Sequence, residues 1–165
     1  FGFPDILSTP GDCFRQMIAA RQTSGADIVL GLYPADRPQK MDMVELDAGG
    51  RIRKIHIKPR ETKLEYTWIS AVWTPRFAAF MHAWLSKAEA AESSRGQRAG
   101  FSDTEVYMGD VIQAAIDDHL AVDTVIFPAG RHIDIGTPGD LEKAVRTWRE
   151  PAETPGKRNM ERDAK

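Results

Sequence analysis

Three side chains carry charge where a chain of alternating strands and helices turns from one element to the next. Asp5 follows an apolar start through Pro4, and Asp134 follows a strand-like run and precedes Gly136-Thr137 at a helix start. Two carboxylates at strand ends, far apart in sequence, could share one divalent cation, with phosphate oxygens and water completing an octahedron. By position alone, each Asp reads more readily as a turn cap, the commoner use of Asp in such loops. Lys58 ends a strand and is fixed by Pro59. A lysine there could hold a phosphate as a point charge, or simply be a solvated strand-end residue.

The remaining chemistry-bearing residues offer less. His56, His82 and His119 have no partner at ligand spacing and read as surface or packing. His132 stands two residues before Asp134 and could line a site, but a zinc reading has no cysteine support. Cys13 is the single cysteine, so no internal disulfide forms, and the chain suits a reducing compartment. Its place on a helix predicts packing, not nucleophilic attack.

The elements that must position these residues follow from periodicity. Phe1 to Leu7 reads as the end of a buried strand running into a loop. A helix follows, with Thr9 as cap, Pro10 in the first turn, Phe14, Met17 and Ile18 on one face, and Gly25 at its stop. Asp27 to Tyr33 is a near-continuous apolar run, as expected of a strand covered on both faces. Met41 to Leu46 and Arg51 to Ile57 form a hairpin through Asp47-Ala48-Gly49-Gly50. Tyr66 to Trp73 is a third strand, and Thr74-Pro75 opens a long helix with Phe77, Phe80, Met81, Trp84, Leu85 and Ala88 along one stripe.

Residues 92–103 are polar and predict a mobile loop. Val111, Ile112, Ala115 and Ile116 mark another helix, and Val122 to Phe127 another strand. Thr137 caps a last helix, with Pro138 in its first turn and Leu141, Ala144, Val145 and Trp148 as its apolar face. The pattern predicts an α/β layered fold with a mostly parallel sheet and one inserted hairpin. Residues 1–149 read as one domain and 150–165 as a flexible, charged tail.

Composition sets the outer bounds. The 165 residues are 42% hydrophobic and 28% charged, which excludes a disordered or fibrous chain. A chain this long buries about 70% of its unfolded surface. The net charge of −2 gives no electrostatic case for nucleic acid or an anionic membrane. No apolar run approaches the ~20 residues of a membrane helix.

Several segments together resemble one family, the sugar-1-phosphate nucleotidyltransferases of the glucose-1-phosphate thymidylyltransferase and uridylyltransferase type. The matching segments are Gly2 to Leu7, Ile57-Lys58-Pro59, Tyr66 to Trp73, Glu105 to Ile112 and His132 to Pro138. The last, Asp-x-Gly-Thr-Pro leading into a helix, is the most specific. The resemblance implies a Rossmann-like three-layer sandwich of the nucleotide-diphospho-sugar transferase type. It also implies a cytoplasmic bacterial transferase that joins a nucleoside triphosphate to a sugar 1-phosphate and releases pyrophosphate. It assigns Asp5 and Asp134 to magnesium and Lys58 to the sugar phosphate. Trp68, Ser70 and Ala71 would line the sugar pocket, with Glu105 near the sugar or a closing loop. A homo-oligomer is compatible with the family.

The sequence departs from the family at Ile57, where an acidic residue is usual, at Ser70 for Gly, and at His132 for Trp. No Gly-x-Gly-Thr-Arg-like run precedes Asp5, so the resemblance implies an N-terminally truncated domain that is inactive alone. Two other readings stand beside transfer. One is a non-catalytic binding or regulatory module of the same fold. The other is a glycosyltransferase, though Asp134 lacks the Asp-x-Asp motif of that class.

Overall fold

The computed structural model describes residues 1–94 and 106–148. The strands are β1 (Ile6–Thr9), β2 (Ile28–Pro34), β3 (Met43–Leu46), β4 (Ile52–His56), β5 (Tyr66–Trp73), β6 (Val122–Ile126) and β7 (Arg131–Asp134). The helices are α1 (Cys13–Ser24), α2 (Pro75–Ser94), α3 (Met108–Asp117) and α4 (Pro138–Thr147). The predicted polar loop falls largely in 95–105, which lies outside the described residues, as do Glu105 and the predicted tail at 150–165.

Five strands form one sheet in the order β4-β3-β5-β2-β6, and β1 pairs with β7 in a separate ribbon. The apolar run of β2 makes it the spine. Ile28, Leu30 and Leu32 face one core with Phe77 of α2 and Val111, Ile112 and Ala115 of α3. Val29 and Tyr33 face a second core with Cys13 and Met17 of α1. Helices on both sides of a sheet give the expected three layers, and Cys13 packs as predicted.

The sheet is less parallel than the alternation of elements predicts. Among the described residues β2–β6 is its parallel pairing, while β2–β5, β3–β5 and β3–β4 are antiparallel. The cause is the inserted hairpin: β3 and β4 fold back on each other, and β5 then returns beside β2 in the opposite direction. The ribbon of β1 and β7 is antiparallel as well.

Two helix readings also change. Helix α1 begins after Asp12, not Thr9. Thr9 is the last residue of β1, where its hydroxyl accepts from the Arg131 N–H at 3.3 Å. The stripe of α4 is only partly buried: Ala144 is inside, whereas Leu141 is 49% and Val145 78% exposed. The cap stands as read, with Thr137 Oγ1 accepting from Asp140 N at 3.2 Å and donating to Asp140 Oδ2 at 2.7 Å.

Asp27 ties the layers where β2, α2 and β6 meet. It is buried, and its carboxylate accepts from Thr74 Oγ1 at 3.3 Å, Arg76 Nη1 at 2.5 Å and Ala121 N at 3.3 Å. These bonds anchor the N-terminus of α2 and the start of β6 to the spine. Among the described residues no helix is long and apolar enough to cross a membrane.

Candidate active site

A cavity of about 450 Å³ opens between the ribbon, the hairpin and the start of α3. Asp5, Lys58, Trp68 and Asp134 all line it. The ribbon brings the two carboxylates together, because Ile6 faces Asp134 in the ladder and Ile135 N donates to the Asp5 carbonyl at 2.8 Å. The Asp134 carboxylate folds over its own turn and accepts from Gly136 N at 2.8 Å. That bond is the capping role read from position.

Gly136 makes the approach possible. A Cβ on it would stand 3.0 Å from Asp134 Oδ1 and 3.6 Å from Asp5 Oδ2. The two carboxylates therefore flank a space that any other residue would partly fill. A pair of hard oxygen donors around such a cradle, with room for phosphate oxygens and water, fits a divalent cation of the magnesium type.

Lys58 stands on the opposite strand system, two residues beyond the end of β4. Its backbone lies in the left-handed region at φ 39, a conformation that costs a lysine about 1–3 kcal/mol. The turn lifts its ammonium over the Tyr107 ring, 3.9 Å from the centroid. A cation on an aromatic face is attracted to the ring and yet keeps its donors free for an anion.

Sequence reasoning missed Asp42. It lies between Met41 and Met43 at the entry to β3, a carboxylate interrupting an apolar run, and that interruption is the signal that pointed to it. Burial raises its pKa above the ordinary value, against the opposing pull of the Lys58 ammonium and backbone N–H and the Trp68 indole. Gly109 in the first turn of α3 lets the helix start close against it. A Cβ there would be 2.6 Å from Asp42 Oδ2 and 2.4 Å from Ile57 Cδ1. Ile57, where the family resemblance leads one to expect an acid, packs on the main core instead. The acid on this wall of the cavity comes from Asp42.

His132 also lines the cavity, with its side chain only 3% exposed. Its Nε2 is 3.3 Å from Asp36 Oδ1, without the alignment of a sound hydrogen bond. Burial pushes the imidazolium pKa down, and Asp36 opposes that push. Asp36 also meets Arg37, whose guanidinium reaches Asp140 at 3.9 Å. His56 pairs with Glu45 at 2.8 Å on the hairpin, a surface role as expected.

Two expected pocket residues do not reach the cavity. Strand β5 carries an extra residue at Ile69, since Gly31 faces Ser70 while Leu32 faces Trp68. The bulge turns Ser70 toward α1, where its hydroxyl meets Met17 Sδ at 3.4 Å. Ala71 then points into the main core. Trp68, before the bulge, keeps its place in the cavity wall.

No protein-family model matches the chain, and no curated protein matches it. Solved structures do. One, from Bacillus anthracis, is described as a glucose-1-phosphate thymidylyltransferase in complex with sucrose; it superposes with a TM-score of 0.63 at 14% identity over 88% of this chain. A UTP-bound UGPase from Acinetobacter baumannii gives 0.61 at 16% identity over 87%. A UDP-glucose pyrophosphorylase from the same organism gives 0.59 at 16% over 87%. The fold is that of the sugar-1-phosphate nucleotidyltransferases. The chain spans about half the length of these structures, with 53%, 48% and 47% of them covered.

Proposed function

We propose that the protein transfers a nucleotidyl group from a nucleoside triphosphate to a sugar 1-phosphate, giving a nucleotide sugar and pyrophosphate. Asp5 and Asp134 would hold magnesium, and Lys58 the sugar phosphate. The observation that carries this reading is the convergence of the two carboxylates on Gly136, in a cavity that Lys58 also lines. The fold shared with the nucleotide-sugar pyrophosphorylases supports it.

The chemistry asks little of the protein beyond placement and charge. An oxygen of the sugar phosphate forms a bond to the α-phosphorus while the bond from that phosphorus to pyrophosphate breaks. Both reactants are anions and repel each other. Asp5 and Asp134 would hold magnesium, and its positive charge would offset that repulsion. Lys58 supplies a second positive contact, fixed in direction by its turn and by Tyr107. Preorganised charge of this kind stabilises the transition state without a covalent intermediate.

The experiment is a pyrophosphate-release assay on the natural chain that carries these 165 residues, across nucleoside triphosphates and hexose 1-phosphates, with and without magnesium. Release that needs both substrates and the metal is expected. Consumption of a ready-made nucleotide sugar with no such release overturns the reading in favour of glycosyl transfer.

A further inference from the structure

Four buried polar atoms in the cavity wall have no hydrogen-bond partner among the described residues: the two ring nitrogens of His132, Asp42 Oδ1 and the Trp68 indole Nε1. Leaving a buried polar group unpaired costs about 1–3 kcal/mol, so such orphans in a cavity point to a ligand. His132 stands beside Asp36, whereas Asp42 and Trp68 are neighbours of each other. The indole N–H faces the Asp42 carboxylate closely enough to pull its pKa down, without closing a sound hydrogen bond to Oδ1.

Their chemistry is complementary. The indole N–H only donates, and an ionised carboxylate only accepts. A phosphate offers acceptors alone, so it would pair with Trp68 and be repelled by Asp42. An ammonium offers donors alone, so it would pair with Asp42 and leave Trp68 unpaired. A hydroxyl both donates and accepts, and so satisfies both atoms at once. Lys58 borders the pair, since its backbone N–H and ammonium both act on Asp42. Lys58, Asp42 and Trp68 line one cavity, so a ligand whose phosphate meets Lys58 shares that space with the orphans.

We propose that Asp42 and Trp68 form a specificity-determining pair that reads one ring hydroxyl of the sugar 1-phosphate, Trp68 donating to its oxygen and Asp42 accepting its proton. This rests on the reading of the cavity as a sugar 1-phosphate site. A hydrogen bond to a charged group contributes about 1.5–3 kcal/mol, so removing the hydroxyl should weaken binding by roughly 10- to 100-fold.

The test is calorimetric titration of the natural chain with a hexose 1-phosphate, its singly deoxygenated analogues, and methyl phosphate. One deoxy analogue is expected to bind roughly 10- to 100-fold more weakly than its parent. Trp68→Phe keeps the ring packing and Asp42→Ala removes the buried charge. Each should weaken the parent by a similar factor and erase the penalty of that one analogue, while neither weakens methyl phosphate. If every deoxy analogue binds within about twofold of the parent, or the penalty survives both substitutions, the pair is wrong while the site stands. If neither hexose 1-phosphate nor methyl phosphate binds, the site reading fails and the pair falls with it.

Discussion

Asp5 and Asp134 are held side by side by their own main chains, with Ile135 N donating to the Asp5 carbonyl at 2.8 Å and Ile6 opposite Asp134 in the ribbon. The spacing of the carboxylates is therefore set by backbone hydrogen bonds and does not depend on long side chains finding each other. Asp134→Asn separates charge from architecture, because the amide oxygen can still accept from Gly136 N. Pyrophosphate release should fall by about 10²- to 10³-fold with the thermal midpoint almost unchanged, as when one preorganised electrostatic contact is lost. Release at the wild-type rate would remove Asp134 from the chemistry.

Gly136→Ala tests the space between the carboxylates. Its φ is not in the left-handed region, so alanine brings no backbone strain. The added methyl would sit 3.0 Å from Asp134 Oδ1 and 3.6 Å from Asp5 Oδ2. Magnesium affinity, followed by titration of the metal alone, should weaken about tenfold while the urea midpoint holds, the pattern of a supporting residue next to a metal. Unchanged affinity would place the cation elsewhere.

Lys58 separates binding from strain. Both Lys58→Ala and Lys58→Gly should raise the KM for sugar 1-phosphate. Only glycine relieves the left-handed backbone at φ 39, so it should be more stable than alanine by about 1 kcal/mol in urea unfolding. Equal stability of the two would show that the turn is not strained.

Asp42 gives a pH signature. Burial raises its pKa above the ordinary 3.8, so the folded chain holds this proton more tightly than the unfolded chain. Its contribution to stability is greatest at low pH and is lost as pH rises from 3.8 through the folded value. Asp42→Asn removes that loss. The variant's gain in thermal midpoint over wild type should therefore grow from pH 4 to pH 7. A difference that stays flat with pH would mean the carboxylate is well solvated.

Asp27→Ala should cost about 2–3 kcal/mol in urea unfolding, because the Ala121 N–H and Thr74 hydroxyl lose a buried charged acceptor. Arg53→Ala should cost under about 0.5 kcal/mol, since the exposed Arg53–Glu45 pair is screened by water. Similar losses for both would contradict the anchoring role of Asp27.

Much of the fold was legible because the strongest signals were local. Tyr66 to Trp73 is a run of aromatic and β-branched residues interrupted only by Ser70-Ala71, and it is β5 to the residue. The Asp47 turn and the Thr137-Pro138 cap carry their own hydrogen-bond chemistry, and both stand. What failed depends on distant partners. Thr9 resembles a helix cap until β7 arrives to pair with it. Strand direction follows from where the hairpin sends the chain, which periodicity does not record. Asp5, Asp134, Lys58 and Trp68, singled out from the sequence, line one cavity. Asp42 was missed because one acid interrupting an apolar run is a weak signal with no motif around it; its burial beside Trp68 and Lys58 is what sets it apart.

The extra residue at Ile69 acts as a change of reading frame for side chains. Trp68 and Trp73 are five apart, an odd step that an unbroken strand would divide between opposite sides. With the frame shifted once between them, both tryptophans come to one side, and the Phe1 ring reaches both, at 6.3 Å and 5.3 Å. A chain one residue shorter at this point would keep every aromatic in its composition and lose the cluster.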